Sequence, residues 1–202
     1  KILLPIDEID PDISEIFPEY IPALTDKYSK VNGRVYALPV TPSAQLLFYR
    51  KDLFENEEEQ ASFKEKYGYD LEVPKDWDTY RDTAEFFTRA KGEKLAGETL
   101  DRAFYGVSME GKRHGATTCE WMNYMWSFGG GIFDEEGNIA VNSDKCMESL
   151  EYFTAMTQYA PPGVTSKTWA EQTTELQKSI AAMAIILNDT ATALDEQSAS
   201  AV

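Results

Sequence analysis

The side chains of this sequence that could do chemistry stand in five sets. Thr41 and Ser43 follow a proline-marked strand, and Arg113 adjoins the single histidine, His114. Thr117 to Trp121 open an aromatic stretch, Trp169 heads a polar run, and Asn188-Asp189 follow an apolar one. These are the types used in reversible polar recognition. Hydroxyl, amide and carboxylate groups bond the donors and acceptors of a small molecule, while indole faces cover its apolar patches. Covalent chemistry is poorly provided for. One histidine with no placed serine and carboxylate makes no triad. Cys119 and Cys146 form no C-x-x-C pair and have no histidine at ligand spacing, so no metal, redox centre or cofactor is expected. Both cysteines read as small buried apolar residues, with a disulfide as the alternative in an oxidising compartment. Asp134-Glu135-Glu136-Gly137-Asn138 lacks the twelve-residue calcium pattern and reads as an acidic hairpin turn. A glycosidase needs two carboxylates flanking one bond. With 35 Asp and Glu, acid abundance singles out no such pair.

Each recognition residue also has a structural reading. Asp189 serves as a helix cap, Trp121 and Trp169 as core, Arg113 as a rim charge and His114 as loop surface. What decides between the readings is the elements that hold them. Asn32-Gly33 is a turn signal, Val35 to Leu38 a short strand, and Pro39 and Pro42 keep the chain extended without two N–H donors. Gly68 stops a helix. Asp76 caps the next, on which Trp77, Tyr80, Ala84, Phe87 and Ala90 share a face. Residues 92 to 103 are a polar linker. Tyr105 to Met109 read as a buried strand with the loop Glu110 to Gly115 at its carboxyl end. A helix over 117 to 128 ends at Gly129-Gly130-Gly131. Another after Ser143 carries the buried stripe Cys146, Leu150, Phe153, Met156 and Ala160, and Pro161-Pro162-Gly163 stops it. A helix from Trp169 to near Lys178 leads into the buried strand Ala182 to Leu187. Asn188 or Asp189 then caps a helix over Ala191 to Gln197. In α/β folds ligands gather where strands end, so three of the five sets converge on one rim if the strands run parallel.

Bulk properties set limits. The 202 residues suffice for one large or two small domains, and 43% hydrophobic residues suffice for a core. A net charge of −16 repels phosphate backbones, so no nucleic-acid partner is expected. No apolar run approaches the roughly 20 residues of a membrane helix, and the sequence from Lys1 onward contains no signal-peptide pattern.

Two runs carry a family resemblance. Gly33-Arg34-Val35-Tyr36-Ala37-Leu38-Pro39 is followed by Phe48-Tyr49-Arg50-Lys51-Asp52-Leu53-Phe54. They resemble the Gly-Lys-x-Tyr-x-Leu-Pro and Tyr-Tyr-Asn-Lys-Asp-Leu-Phe runs of bacterial extracellular solute-binding proteins that feed carbohydrate ABC transporters, the group that includes maltose-binding proteins. Pro74-Lys75-Asp76-Trp77-Asp78 and Trp126-Ser127-Phe128-Gly129-Gly130-Gly131, with Asp134 and Gly137, fit the same family. The family's Gly-Lys before Ala182-Met183 and its Trp near Asn188 are absent. The resemblance implies an α/β fold, the C-terminal lobe of a type II periplasmic-binding-protein-like molecule with helices around a small mixed sheet. It places residues 1–37 as a remnant of the first lobe, 38–190 as the second lobe and 191–202 as the return crossing, in a chain about half a family member's length. It implies a non-enzymatic, monomeric, extracellular or periplasmic protein, soluble or lipid-anchored, that closes on a carbohydrate or polyol and docks on ABC permease subunits. On this reading Thr41, Ser43, Arg113, Thr117, Trp121, Trp169, Asn188 and Asp189 are the ligand contacts. The alternatives are an acidic glycoside-processing enzyme and a non-catalytic interaction module.

Overall fold

The computed structural model describes residues 3–41 and 43–195 and divides the chain into two units, Lys1–Ala44 and Gln45–Val202. The first unit consists of short helical turns, among them α1 (Pro22–Leu24), and a hairpin of β1 (Lys30–Val31) and β2 (Arg34–Val35). Its turn is Asn32-Gly33, both at positive φ (51° and 78°), the left-handed backbone that these two residues tolerate best. Arg34 bonds Asp7 at 2.7 Å and Glu8 at 2.8 Å. Beyond β2, residues 36–41 and 43–44 lie in no helix or strand, and Thr41 and Ser43 are exposed.

The second unit is built on a three-stranded sheet in the order β3-β7-β6. β7 (Ala181–Leu187) is the centre, and six of its seven residues are buried. A strand covered on both faces reads as a continuous apolar run, which is what Ala182 to Leu187 shows. β6 (Tyr105–Ser108) pairs with it in parallel, and β3 (Gln45–Tyr49) pairs antiparallel with Gln45 opposite Leu187. A small hairpin, β4 (Lys94–Leu95) and β5 (Glu98–Thr99), occupies part of the polar linker.

Among the described residues, seven α-helices surround this mixed sheet: α2 (Lys51–Phe54), α3 (Glu57–Tyr67), α4 (Trp77–Phe87), α5 (Gly115–Ser127), α6 (Asp144–Met156), α7 (Trp169–Gln177) and α8 (Thr190–Leu194). α4 starts at a reciprocal cap. The Thr79 N–H donates to the Asp76 carboxylate at 2.8 Å, and the Asp76 N–H donates back to the Thr79 hydroxyl. Its buried stripe is Tyr80, Ala84 and Phe87. The helix lies so close to β6 that a Cβ at Gly106 would stand 1.8 Å from the Ala84 carbonyl oxygen, a spacing open only to glycine. One face of the sheet, with α3, α4 and α6, holds the larger aromatic core, and the other packs Ala184 and Ile186 on Leu176 of α7.

Four local expectations need correction. Ala90 lies beyond α4, because the backbone turns extended at Thr88 (ψ 115°). Leu150 is 40% exposed, since α6 turns Ser149 rather than Leu150 inward beside Cys146 and Phe153. Cys119 is exposed, because α5 buries Ala116, Glu120 and Tyr124; both cysteines are free thiols. Asp189 precedes α8 but its side chain makes no capping bond, and residues 196–202 of the expected terminal segment lie outside the described residues.

Candidate functional site

Parallel pairing brings the carboxyl ends of β6 and β7 to one edge, and antiparallel β3 begins there. β6 leaves this edge through the loop 109–114 into α5. α7 runs down to the start of β7, so its own start, Trp169, stands at the same edge as the β6 loop. Two contacts record the meeting. The Lys112 N–H donates to the Lys167 carbonyl at 3.2 Å, and the rings of His114 and Trp169 meet edge to face at 5.5 Å. Both residues are held from behind. His114 Nδ1 accepts from the Ala116 N–H at 3.1 Å as the cap of α5, so its Nε2 is the ring nitrogen left over. Trp169 follows a cap in which the Thr168 N–H and hydroxyl donate to one Glu171 oxygen at 2.7 and 2.8 Å. Those bonds also hold the Glu171 carboxyl below its usual range.

A buried polar chain fastens α7 to the strands beneath this edge. The Gln172 amide donates to the carbonyls of Ser108 on β6 and Ile185 on β7, at 3.0 and 3.2 Å. The Ser108 hydroxyl donates to Glu175 at 2.6 Å, and Glu175 pairs with Lys167 at 2.6 Å. Lys167 also donates to the Pro161 carbonyl at 2.7 Å. This ion pair is almost fully covered and carries hydrogen bonds at both ends, the condition under which a buried pair is tolerated.

Where β6 leaves the sheet lie two further buried carboxyl groups. Glu110 and Glu120 are both fully buried. The Glu110 N–H donates to Glu120 Oε2 at 2.8 Å. Both Glu110 carboxyl oxygens and the other Glu120 oxygen have no hydrogen-bond partner among the described residues. Burial, with the Glu171 charge added, pushes the Glu110 carboxyl up to about 7. Burial also raises Glu120 well above the carboxylate range, opposed by the Glu110 N–H and reinforced by the Glu110 charge.

On the other face of the sheet, at the same edge, a cleft of about 400 Å³ is lined by Leu47, Lys75, Asp76, Trp77, Ser127 and Ile185, among others. Next to it Asn123 of α5 donates to the Gln45 side chain at the start of β3. A larger cleft, about 630 Å³, is formed by Tyr49, Arg50 and α8 at the far end of β3, away from this edge.

The structure distributes the expected recognition residues unevenly. Trp169, Asn188 and Asp189 stand at the carboxyl edge, with Arg113 exposed in the loop beside His114. Thr117 turns aside, donating to the Lys112 carbonyl at 2.7 Å and lining a separate cleft beside Pro161 and Pro162. Trp121 packs on the core, its indole N–H donating to the Ser149 hydroxyl at 3.1 Å. Thr41 and Ser43 belong to the first unit. Gln45, Glu110, Glu120, Asn123 and Gln172 are residues at the edge that the sequence reading did not single out. Only Glu110 carried a signal, as the first residue after a buried strand. No cluster of three or more His, Cys, Asp or Glu able to hold a metal occurs among the described residues.

Comparison with known proteins gives this geometry a context. The sequence pattern of the family described as bacterial extracellular solute-binding protein matches residues 2–201. A probable ABC transporter-binding protein of Deinococcus radiodurans is 29% identical over 167 residues, 80% of this chain and 35% of its own length. A mannitol-binding protein of Pseudomonas aeruginosa is 26% identical over 155 residues, 76% of this chain and 31% of its own. Among solved structures, maltose-bound MalE3 of T. maritima superposes with a TM-score of 0.74 at 26% identity, over 96% of this chain and 44% of that one. A solute-binding protein of Agrobacterium radiobacter in complex with ribitol gives 0.76 at 24% identity, over 98% and 44%. The chain thus spans about a third of the length of these sequence relatives and under half that of the solved structures. Its α/β architecture is that of the type II periplasmic-binding-protein-like sugar binders.

Proposed function

Since the chain belongs to the bacterial extracellular solute-binding protein family, we propose that it forms part of the substrate-binding component of an ABC importer, and that its ligand is a sugar or polyol. One observation carries the reading: the family match runs through residues 2–201 and so takes in every element that builds the carboxyl edge of β6 and β7. At that edge His114 and Trp169 offer a ring nitrogen and an indole, the pairing of polar and apolar contact that a polyhydroxylated ligand needs. Residues 38–190 act as the second lobe, 1–37 as the end of the first and 191–202 as the return crossing. Closure of the two lobes on ligand brings Thr41, Ser43, Arg113, Trp169, Asn188 and Asp189 into play, while Thr117 and Trp121 keep structural roles, and the closed form docks on permease subunits.

The protein works as a monomer outside the cytoplasmic membrane, whether anchored or free. Among the described residues no helix is long and apolar enough to cross a membrane. It binds without turnover. The adjacent acids Glu110 and Glu120 are sealed from solvent, where a hydrolytic pair must reach both the sugar and water. The test is a thermal-shift screen of the intact protein against mono-, di- and trisaccharides and polyols. A rise in melting temperature with one ligand class is expected. No rise with any of them, or multiple turnover of an oligosaccharide, overturns the reading.

A further inference from the structure

The cleft on the α4 and α5 face opens at the same edge as His114 and Trp169, yet none of the expected ligand contacts lines it. Its floor is aliphatic: Leu47 and Ile185 are cross-strand partners that both line it. Its wall is the Trp77 indole, and the structure fixes that ring closely. One face stacks on Tyr124 at 4.2 Å and 23°, and Tyr80 meets it edge-on at 5.6 Å. Tyr152 donates its hydroxyl to the Trp77 carbonyl, and the Asp76 cap sets the helix start. Tyr80 and Tyr124 are sealed, at 2% and 0% exposure, whereas Trp77 is only half-buried and borders the cleft. The rim is polar and of both signs. Lys75 holds Glu72 at 2.5 Å, Asp76 accepts from Thr79, and the Ser127 hydroxyl, donating to the Asn123 carbonyl at 2.7 Å, keeps its lone pairs.

A volume near 400 Å³ falls within the ~300–1,000 Å³ range of small-molecule sites. An immobile aromatic plane over an aliphatic floor, with charged and hydroxyl groups only at the mouth, selects for a ligand with one flat C–H face and hydroxyls around its edge. A pyranose ring has that shape. An open-chain alditol has the same hydroxyls but no fixed face, and must lose rotamer freedom to present one.

We propose that this cleft is a subsite for a ring-closed sugar, with Trp77 as its stacking platform. The proposal rests on the solute-binding reading and narrows it: the ligand is a cyclic sugar rather than its reduced open-chain counterpart.

The test uses the intact protein and matched pairs: D-glucose with D-glucitol, D-mannose with D-mannitol and D-xylose with D-xylitol, plus maltose. Calorimetric titration is expected to show at least one sugar binding about tenfold or more tighter than its own alditol. Trp77→Phe keeps an aromatic ring against Tyr124 but offers a smaller plane. It should weaken the bound sugar about fivefold to tenfold, leave alditol affinity unchanged and reduce the sugar-induced change in tryptophan fluorescence to what Trp169 contributes. Trp126→Phe, at a 58% exposed tryptophan outside the cleft, should change none of these. Sugar binding and fluorescence unchanged by Trp77→Phe, or an alditol preferred to its sugar, overturns the subsite while leaving solute binding intact. A wild-type protein that binds none of the panel overturns the subsite. If the broader thermal-shift screen is also silent, the solute-binding reading falls with it.

Discussion

Glu110→Gln should make the protein more stable at neutral pH and flatten the dependence of its stability on pH. The Glu110 carboxyl is fully buried without a partner for either oxygen, and its pKa rises from an ordinary 4.5 to about 7. The unfolded chain sheds this proton near 4.5, while the folded chain keeps it until about 7. Between those values the folded state holds more protons, so stability falls as pH rises, and the loss is complete above pH 7. A rise of about 2.5 units, at about 1.4 kcal/mol each, makes that loss about 3 kcal/mol. Glutamine is neutral throughout and nearly isosteric. The variant should match wild type within about 1 kcal/mol at pH 5 and exceed it by about 2–3 kcal/mol at pH 8. Glu120 is raised in the same sense, in part by the Glu110 charge, so removing that charge also eases Glu120 and adds to the difference in the same direction. Urea denaturation followed by circular dichroism at pH 5, 6, 7 and 8 measures it. Parallel wild-type and variant curves across that range would show that Glu110 is solvated or paired, and would refute the reasoning.

Lys167→Met leaves Glu175 charged and buried with only the Ser108 hydroxyl, and should cost about 3–5 kcal/mol in urea denaturation; adding Glu175→Leu should recover most of it. Equal losses in the single and double variants would mean the pair is not coupled. Gly106→Ala drives a Cβ to 1.8 Å from the Ala84 carbonyl oxygen, so α4 must lift from β6 and soluble yield and melting temperature should both collapse. A variant within 3 °C of wild type would contradict that close approach. Residues 1–202 alone should bind sugar at best in the millimolar range. If a two-lobed site has micromolar affinity, about 8 kcal/mol, half its contacts supply about 4. Micromolar titration by this segment would break the assignment to one lobe.

The parts of the fold legible in the sequence are those set by local rules. The Asp76 cap, the left-handed Gly68 stop and the apolar run of β7 each depend on residues within a turn or two of one another, and each occurs where expected. Two of the four corrections, Leu150 and Cys119, have their cause in packing. A helical stripe can rotate by one residue, as from Leu150 to Ser149, with little change in pattern, because what chooses the buried face is the neighbouring element. Cys119 and Cys146 look alike in sequence, but only Cys146 lies under a loop, with its thiol against the carbonyls of Gly131 and Ala140.

The edge itself was legible only as a condition, that the strands run parallel. β6 and β7 meet it, and that alone gathers the loop of His114, the start of α7 and Asn188-Asp189. What makes the edge rigid could not be read, because its ties span long loops. Ser108 meets Glu175, Gln172 meets Ser108 and Asn123 meets Gln45 across separations of 67, 64 and 78 residues. No periodicity encodes such partners. The same applies to the tryptophans. Trp77, Trp121 and Trp169 have equal claims by residue type. Their partners separate them: Trp121 gives its N–H to Ser149, Trp169 meets an exposed histidine, and Trp77 spends one face on Tyr124 and borders a cleft. A tryptophan whose face and N–H are both satisfied inside the protein can only pack. One stacked on one side yet only half-buried beside a cleft has little freedom left to lose when a flat ligand arrives. By that criterion Trp77, which sits at the helix position where an amphipathic pattern predicts core, is better prepared for stacking than Trp121.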